Sequence, residues 1–541
     1  MKRYFSLTLL AGAVLAGCAT TSITSTDVTK GYNSIKANEL AKHVKVLASD
    51  EFGGRAPSSP GEKLTLDYLT SQFKALGLEP GNGDSYLQEV PLVSLEADAN
   101  MVLSIGGKDY QYKKDMVMGS SRISAQEGIE NSELVFVGYG VNAPEYNWND
   151  YEGLDVKGKT VVMLVNDPGF ATKDPALFTG DAMTYYGRWT YKYEEASRQG
   201  AAGAIIIHET APASYPWSVV ENSWSGEQFG FQKENNNMDR VAVEGWVTSD
   251  VAKELFTKAG LDFETVKTNA AKGAYNVDMG DLTASVSVKN TIKKSVSYNF
   301  IATLPGSEKP EEHVIYSAHW DHLGTDKTRK GDQIYNGAHD NATGTAGLIE
   351  VAEAFTQLPK HPSRSMTFLA VTAEEQGLLG SKYYAANPVI AANKTVANIN
   401  MDSLNLLGKV KDMNVVGIGK SQMDEFLTTA AKEQGRTISG DPKPSSGGYY
   451  RSDHFAFANM GIPAMYAGGG TVAADEDTAN YRKRMSLVLR GCYHQPCDRY
   501  RDEWDLSGAV QDLQLFYKVG FNISEQEQWP TWNANSEFQR K

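Results

Sequence analysis

His313-Val314-Ile315-Tyr316-Ser317-Ala318-His319-Trp320-Asp321 is an apolar run that ends on a histidine and an aspartate. Residues 313–318 have the length and the β-branched and aromatic content of a buried strand. Thr345–Leu358 then spaces its apolar residues as a helix does. It is opened by the loop Asn336-Gly337-Ala338-His339-Asp340-Asn341-Ala342-Thr343-Gly344. The unit recurs: Ser365–Thr372, Val396–Met401 and Met413–Ile418 are strand-like, and Gln422–Glu433 is helix-like with Gly435 at its end. Strands alternating with helices over 297–541 predict an α/β sheet with helices on both faces.

Sites in such sheets gather beyond the carboxyl ends of strands, and metal-capable side chains stand there. His319 and Asp321 follow the first strand, Asp340 lies in the loop that opens the helix, Glu374-Glu375 follow Val371-Thr372, and Asp402 follows Ile399-Asn400-Met401. His494 lies in Tyr493-His494-Gln495-Pro496. Imidazole and carboxylate donors suit zinc, and a mixed nitrogen and oxygen set also admits manganese or cobalt. Two ions a few Å apart need a bridging ligand, which a carboxylate can be by giving one oxygen to each. Singly each fragment reads as an ordinary turn, strand end or cap; their ordered combination points to a metal site. His322 and His339 flank ligands and read as bystanders. No Gly-x-Ser-x-Gly elbow points to a serine nucleophile.

Upstream, residues 35–78 are helical in pattern around the turn-rich loop Ser49-Asp50-Glu51-Phe52-Gly53-Gly54-Arg55-Ala56-Pro57, and strands are expected near Tyr86–Val90 and Met101–Ile105. From about Ser132 the style changes: the strand Leu134–Val137, Lys157-Gly158-Lys159 feeding a buried strand, the helix-like Tyr193–Arg198, then Gly200-Ala201-Ala202-Gly203 into Ala204–Ile207. This order resembles the protease-associated (PA) domain, a module without chemistry of its own that is inserted in several peptidases. Residues 216–241, rich in Asn, Ser and Gly, read as a long surface loop.

The chain has 541 residues, enough for two or three domains. Hydrophobic residues make up 41% and charged residues 22%, which speaks against disorder. A net charge of −14 argues against a nucleic-acid binder, which needs a basic stripe. Only 3 cysteines exclude a disulfide scaffold. Lys2 and Arg3 precede an apolar segment of signal-peptide length, Phe5–Val14, followed by Leu15-Ala16-Gly17-Cys18. This resembles the lipobox of bacterial lipoproteins. The resemblance implies removal of residues 1–17, a lipid anchor on Cys18, and, with Ala19 rather than Asp next, an outer-membrane protein of the cell envelope; a periplasmic or secreted protein is the alternative. The Ser- and Thr-rich stretch to residue 34 reads as a tether.

The segments Ser317–His322, Gly337–Gly344, Thr372–Gly377, Asn400-Met401-Asp402, Ser452-Asp453-His454 and Tyr493-His494 together resemble the dizinc exopeptidase family of bacterial leucyl aminopeptidases and glutamate carboxypeptidase II. The resemblance implies an α/β, phosphorylase/hydrolase-like zinc exopeptidase domain, with a mixed central sheet flanked by helices and an inserted β-rich PA domain. Its expected boundaries are 35–125 and 291–541 for the peptidase and 126–290 for the insertion. It also implies two Zn²⁺: His319, Asp340 and Asp402 on one, and Asp340, Glu375 and His494 on the other. Glu374 is then the general base, and Asp321 hydrogen-bonds His319 and fixes its tautomer. Ser452, Asp453 and His454 fall near the substrate pocket without being ligands, and Tyr449 and Tyr450 read as pocket walls.

The expected activity is removal of N-terminal residues from peptides. Carboxypeptidase action in the same fold is the alternative that Arg451 keeps open, and a non-catalytic surface binding protein is another. Cys492 and Cys497 bracket His494; in an oxidising envelope they would close a small disulfide loop, and otherwise they stand as thiols. The oligomeric state is not legible.

Overall fold

The computed structural model describes residues 23–534 and 536–540. Residues 1–17 and Cys18 lie outside the described residues. Apolar residues at helical spacing produce the helices α1 (Ser25–Ser34), α2 (Ala37–Leu47), α3 (Pro60–Ala75), α4 (Thr343–Thr356), α5 (Leu379–Ala386), α6 (Met423–Glu433), α7 (Glu476–Cys492) and α8 (Ser507–Glu525). They flank a central sheet of β1 (Leu87–Ala97), β2 (Val277–Leu304), β3 (Lys309–His319), β4 (Arg364–Val371), β5 (Thr395–Asn400), β6 (Asp412–Val416), β7 (Thr437–Gly440) and β8 (Ala464–Gly469).

The neighbour order is β1-β2-β4-β3-β5-β8-β6-β7. β4, β3, β5 and β8 run parallel, while β2 and β6 join them antiparallel, so the sheet is mixed. The parallel strands are buried along their length: all 8 residues of β4 and all 6 of β5 are in the interior. Register fixes the site. Ser317 faces Asn400 and His319 faces Val371 across the ladders. His319 and Asp402 are therefore level, with Glu374 and Glu375 just beyond.

α4 is apolar nearly all round because it is enclosed between the sheet and other helices. Its Leu348, Val351 and Phe355 share one core with Val44 and Leu47 of α2 and Leu513 and Phe516 of α8. α8 approaches the sheet closely at Gly520, where a Cβ would stand 1.8 Å from the Tyr316 hydroxyl. Part of the expected tether is structured. α1 starts at a capping box built by Thr24 and Asp27 and buries Val28 in this core. Each such side chain contributes about 2 kcal/mol, which offsets the ordering of the segment.

A second sheet carries Gln126–Phe136, Thr160–Leu164, Gly203–His208 and Val243–Thr248 in parallel, with Met116–Gly119 antiparallel at one end. β2 is 28 residues long, and its first half pairs with this sheet before its second half enters the central one. Val102–Ile105 and Met116–Gly119 also lie in the second sheet, so it begins before residue 126. Phe136, Ile205 and Leu255 pack on one face, and Val161, Ile206, Tyr193 and Trp246 on the other. The expected surface loop 216–241 contains the helix Trp217–Ser223 and the strand Glu227–Phe231, which pairs with Leu92–Glu96 of β1. Edge pairing with β1 outweighs the loop-like composition there. No helix among the described residues is long and apolar enough to cross a membrane.

Candidate metal centre

Three adjacent parallel strands deliver the donors: β3 ends on His319, β4 runs into Glu374 and Glu375, and β5 into Asp402. Asp340 comes from the turn that opens α4, and His494 from the turn that ends α7. His319 Nε2 is 3.2 Å from Asp340 Oδ1 and 3.5 Å from Asp402 Oδ1. His494 Nε2 is 3.2 Å from Asp340 Oδ2 and 3.0 Å from Glu375 Oε2. Asp340 thus turns one oxygen to each imidazole. His319, Glu374 and Asp402 offer donor atoms within 4.8 Å of one another, and so do His322, Asp340 and Glu375.

The acids and imidazoles of the site act strongly on one another. Burial disfavours a charged His319, yet Glu374, Asp340 and Asp402 hold it protonated far above its ordinary range. Burial likewise opposes charge on His494, and Asp340 and Glu375 raise it to about 10. Against burial, His322 and His494 hold Glu375 down to about 2, and His319 and His494 hold Asp340 well below the carboxylate range. Buried Glu374 is pushed well up, with His319 opposing and Asp453, Asp402 and Glu375 assisting. His494 Nε2 and Glu375 Oε1 are buried and form no hydrogen bond of good geometry. Atoms so placed suit a shared ion better than each other, and imidazole and carboxylate donors fit a divalent cation of the zinc type.

The neighbours orient these donors. His319 Nδ1 donates to the main-chain oxygen of Asp321 at 3.2 Å, which turns Nε2 toward Asp340 and Asp402. The Asp321 carboxylate does not fix this tautomer. Its Oδ1 stands 3.8 Å from Nδ1, and it accepts instead from the backbone N–H of Glu374 at 3.0 Å and of Glu375 at 3.4 Å. The main chain reaches Nδ1 first because His319 and Asp321 lie on one tight turn.

Asp402 Oδ2 accepts from Ser452, and behind it Asn400 donates to Ser452, Ser317 to Asn400, and Asn398 to Ser317. Asp498 accepts from the backbone N–H of His339 and Asp340 at 2.9 and 3.1 Å. Gly337 enters this turn at φ +55°, where a Cβ would lie 2.5 Å from the His322 ring. Cys492 and Cys497 are joined as a disulfide around His494. Tyr493, 60% exposed, stacks on the His494 ring at 3.9 Å.

His322 is no bystander: its Nδ1 lies 2.5 Å from Glu375 Oε1. Its place one residue after Asp321 was the available signal. Asp498 had none beyond following Cys497. His339 does stand aside, with its ring at the Leu404 carbonyl. Buried His454 is pushed down to about 3 and packs on Tyr449 and Tyr466. Tyr450 bonds the Met183 carbonyl of the second lobe and Glu537, so it serves as a wall. Asp453 accepts from Ser381 behind the site.

The model of Peptidase family M28 matches residues 299–517. The chain is 25% identical over 244 residues to leupeptin-inactivating enzyme 1 of Streptomyces exfoliatus, covering 44% of this chain and 50% of that one. It thus spans about half the length of that curated relative. An aminopeptidase of Pseudomonas aeruginosa is 23% identical over 490 residues, 86% of this chain and 76% of its own. Among solved structures, the aminopeptidase from Aneurinibacillus sp. strain AM-1 superposes with a TM-score of 0.51 at 19% identity, over 93% of this chain and 97% of that one, and so shares the fold. By sequence, residues 299–517 are thus similar to Peptidase family M28, and by fold the chain is similar to a solved aminopeptidase structure.

Proposed function

We propose that this chain is a metal-dependent aminopeptidase that hydrolyses N-terminal residues from peptides with two divalent cations, zinc by donor chemistry. His319, Asp340 and Asp402 would hold one, and Asp340, Glu375 and His494 the other. The observation that carries this is the split of Asp340, with Oδ1 and Oδ2 each 3.2 Å from a different imidazole. When bound, the cations would acidify a water and polarise the scissile carbonyl. Proton movement then falls to Glu374. Among the described residues no hydrogen-bonded partner ties down its carboxylate, and its raised pKa suits a base that takes a proton and returns it to the departing nitrogen. Asp321 holds the backbone N–H of Glu374, and the carboxylates of Glu374 and Glu375 fall in different donor groups.

The test is Glu374→Gln. It should keep two equivalents of zinc by elemental analysis and lose at least about 1,000-fold in kcat on aminoacyl anilides. Retained activity within tenfold, or a zinc-loaded wild type inert on every peptide tried, would sink the reading. The latter result would favour a non-catalytic binding protein, which the complete ligand set argues against.

A carboxypeptidase reading has one observation behind it. Arg188 of the second lobe has a buried Nε without a hydrogen bond, and exposed Arg451 lowers its pKa further after burial has done so. Such cations would suit a substrate carboxylate. Hydrolysis of acyl-dipeptides ending in Glu, with aminoacyl anilides untouched, would select it. Placement in the cell envelope rests on the lipobox-like start and is tested by labelling Cys18 with a fatty-acid probe.

A further inference from the structure

Arg55 belongs to none of the roles above, yet it reaches the same centre from the N-terminal segment. Its side chain is 1% exposed. Its guanidinium donates to four main-chain carbonyls: Nε to Trp320 at 2.8 Å, Nη1 to Leu47 at 2.7 Å and Asn336 at 2.6 Å, and Nη2 to Gly337 at 2.9 Å. Trp320 stands between His319 and Asp321, and Asn336-Gly337 leads into Asp340. Leu47 is the last residue of α2. One planar fork therefore sets the spacing of three segments, two of which carry metal donors. No carboxylate lies within ion-pair distance of it among the described residues, so its charge is spent on neutral acceptors. Asp498, Asp321, Asp340 and Glu375 of the site act on its charge and partly offset its burial.

The surrounding turn repeats the tie. The Arg55 carbonyl accepts from His322 N–H at 3.3 Å, and the Gly54 carbonyl accepts from Gly324 N–H at 3.0 Å. Asn336 Nδ2 donates to the Ala48 carbonyl at 3.0 Å and to Asp50 at 2.9 Å. A buried guanidinium is costly unless its N–H groups are used, and four of its five are. Lysine offers a single point charge and cannot fill four sites fixed in a plane.

We propose that Arg55 is a positioning residue for the metal centre. It holds the His319 turn and the Asp340 turn at the separation that lets Asp340 face both imidazoles, and its fixed charge offsets the acids gathered there. The proposal rests on the two-metal reading. The experiment compares wild type, Arg55→Lys and Asn336→Ala, each checked for folding by circular dichroism, in zinc competition titrations with a chromophoric chelator. The expected result is two zinc sites in wild type. In Arg55→Lys at least one should weaken 10-fold or more, with kcat falling while KM holds; Asn336→Ala should show a smaller weakening of the same site. If folded Arg55→Lys binds both ions as wild type does, the proposal is overturned. If Arg55→Lys does not fold, Asn336→Ala decides alone, and unchanged zinc affinity there overturns the proposal. A wild type that binds no zinc would instead overturn the metal reading itself.

Discussion

Asp321 shows how a residue can be essential without the role its spacing suggests. Histidine and aspartate two apart at a strand end suggest a carboxylate behind an imidazole. In the folded chain the peptide oxygen of Asp321 takes the His319 N–H, and the carboxylate collects the two N–H groups of the Glu374-Glu375 turn. Asp321→Asn would turn an N–H₂ toward at least one of those donors. The expected loss is about 10- to 100-fold in kcat/KM with zinc content unchanged, read by steady-state kinetics and elemental analysis. A larger loss of zinc than of activity would mean that Asp321 acts mainly on His319. Metal-capable residues were legible here because their chemistry is rare and their order is specific. The second oxygen partner of each was not, since it depends on which of several near atoms arrives first.

At the scale of elements, the turn after α7 carries a candidate ligand on a short covalent ring. Cys492–Cys497 closes around His494, which sits at φ +54°, a left-handed conformation uncommon for a residue with a Cβ. Asp498, immediately after the ring, clamps the Asp340 turn through two backbone N–H groups. The ring therefore joins His494 to its fellow ligand. Replacing both cysteines by serine should cost about 2 kcal/mol of stability and about 10-fold in affinity for the zinc that His494 is proposed to hold. Thermal melts and chelator competition measure the two separately. Full zinc affinity in the serine variant would assign the positioning to Asp498 alone. The strands and helices of this half were readable from apolar spacing. The strand Glu227–Phe231 was not, because its burial pattern comes from pairing with β1 and not from its own composition.

For the whole molecule, the leading helices are built into the core of the larger sheet, and pH should reveal it. Glu350 of α4 is 2% exposed. Its Oε2 accepts from Lys36 N–H at 3.4 Å and its Oε1 lies 3.8 Å from His43, which bonds Tyr68 at 2.6 Å. Burial, with Glu353 and Glu39 adding, raises its pKa to about 8. Because the folded value exceeds the unfolded one, the native state binds more protons between about pH 4.5 and 8. The stability this group contributes is complete below that window and is lost as pH rises through it. Glu350→Gln should therefore match wild type near pH 4.5 and exceed it by about 4 kcal/mol at pH 8, by chemical denaturation. A difference that does not change with pH would show Glu350 to be uncharged throughout.

By itself the sequence determined the α/β class, the strand ends where metal-capable side chains stand and the identity of those candidate donors. Periodicity and donor chemistry are local properties, carried within a few residues. Tertiary structure decided which oxygen of Asp340 meets which imidazole, that His322 joins Glu375, and that Arg55 and Asp498 brace the turns. It also decided that α1 is core and that β2 serves two sheets. These are contacts between segments far apart in the chain. Their distances are set by sheet register and helix packing, which no single stretch of sequence encodes.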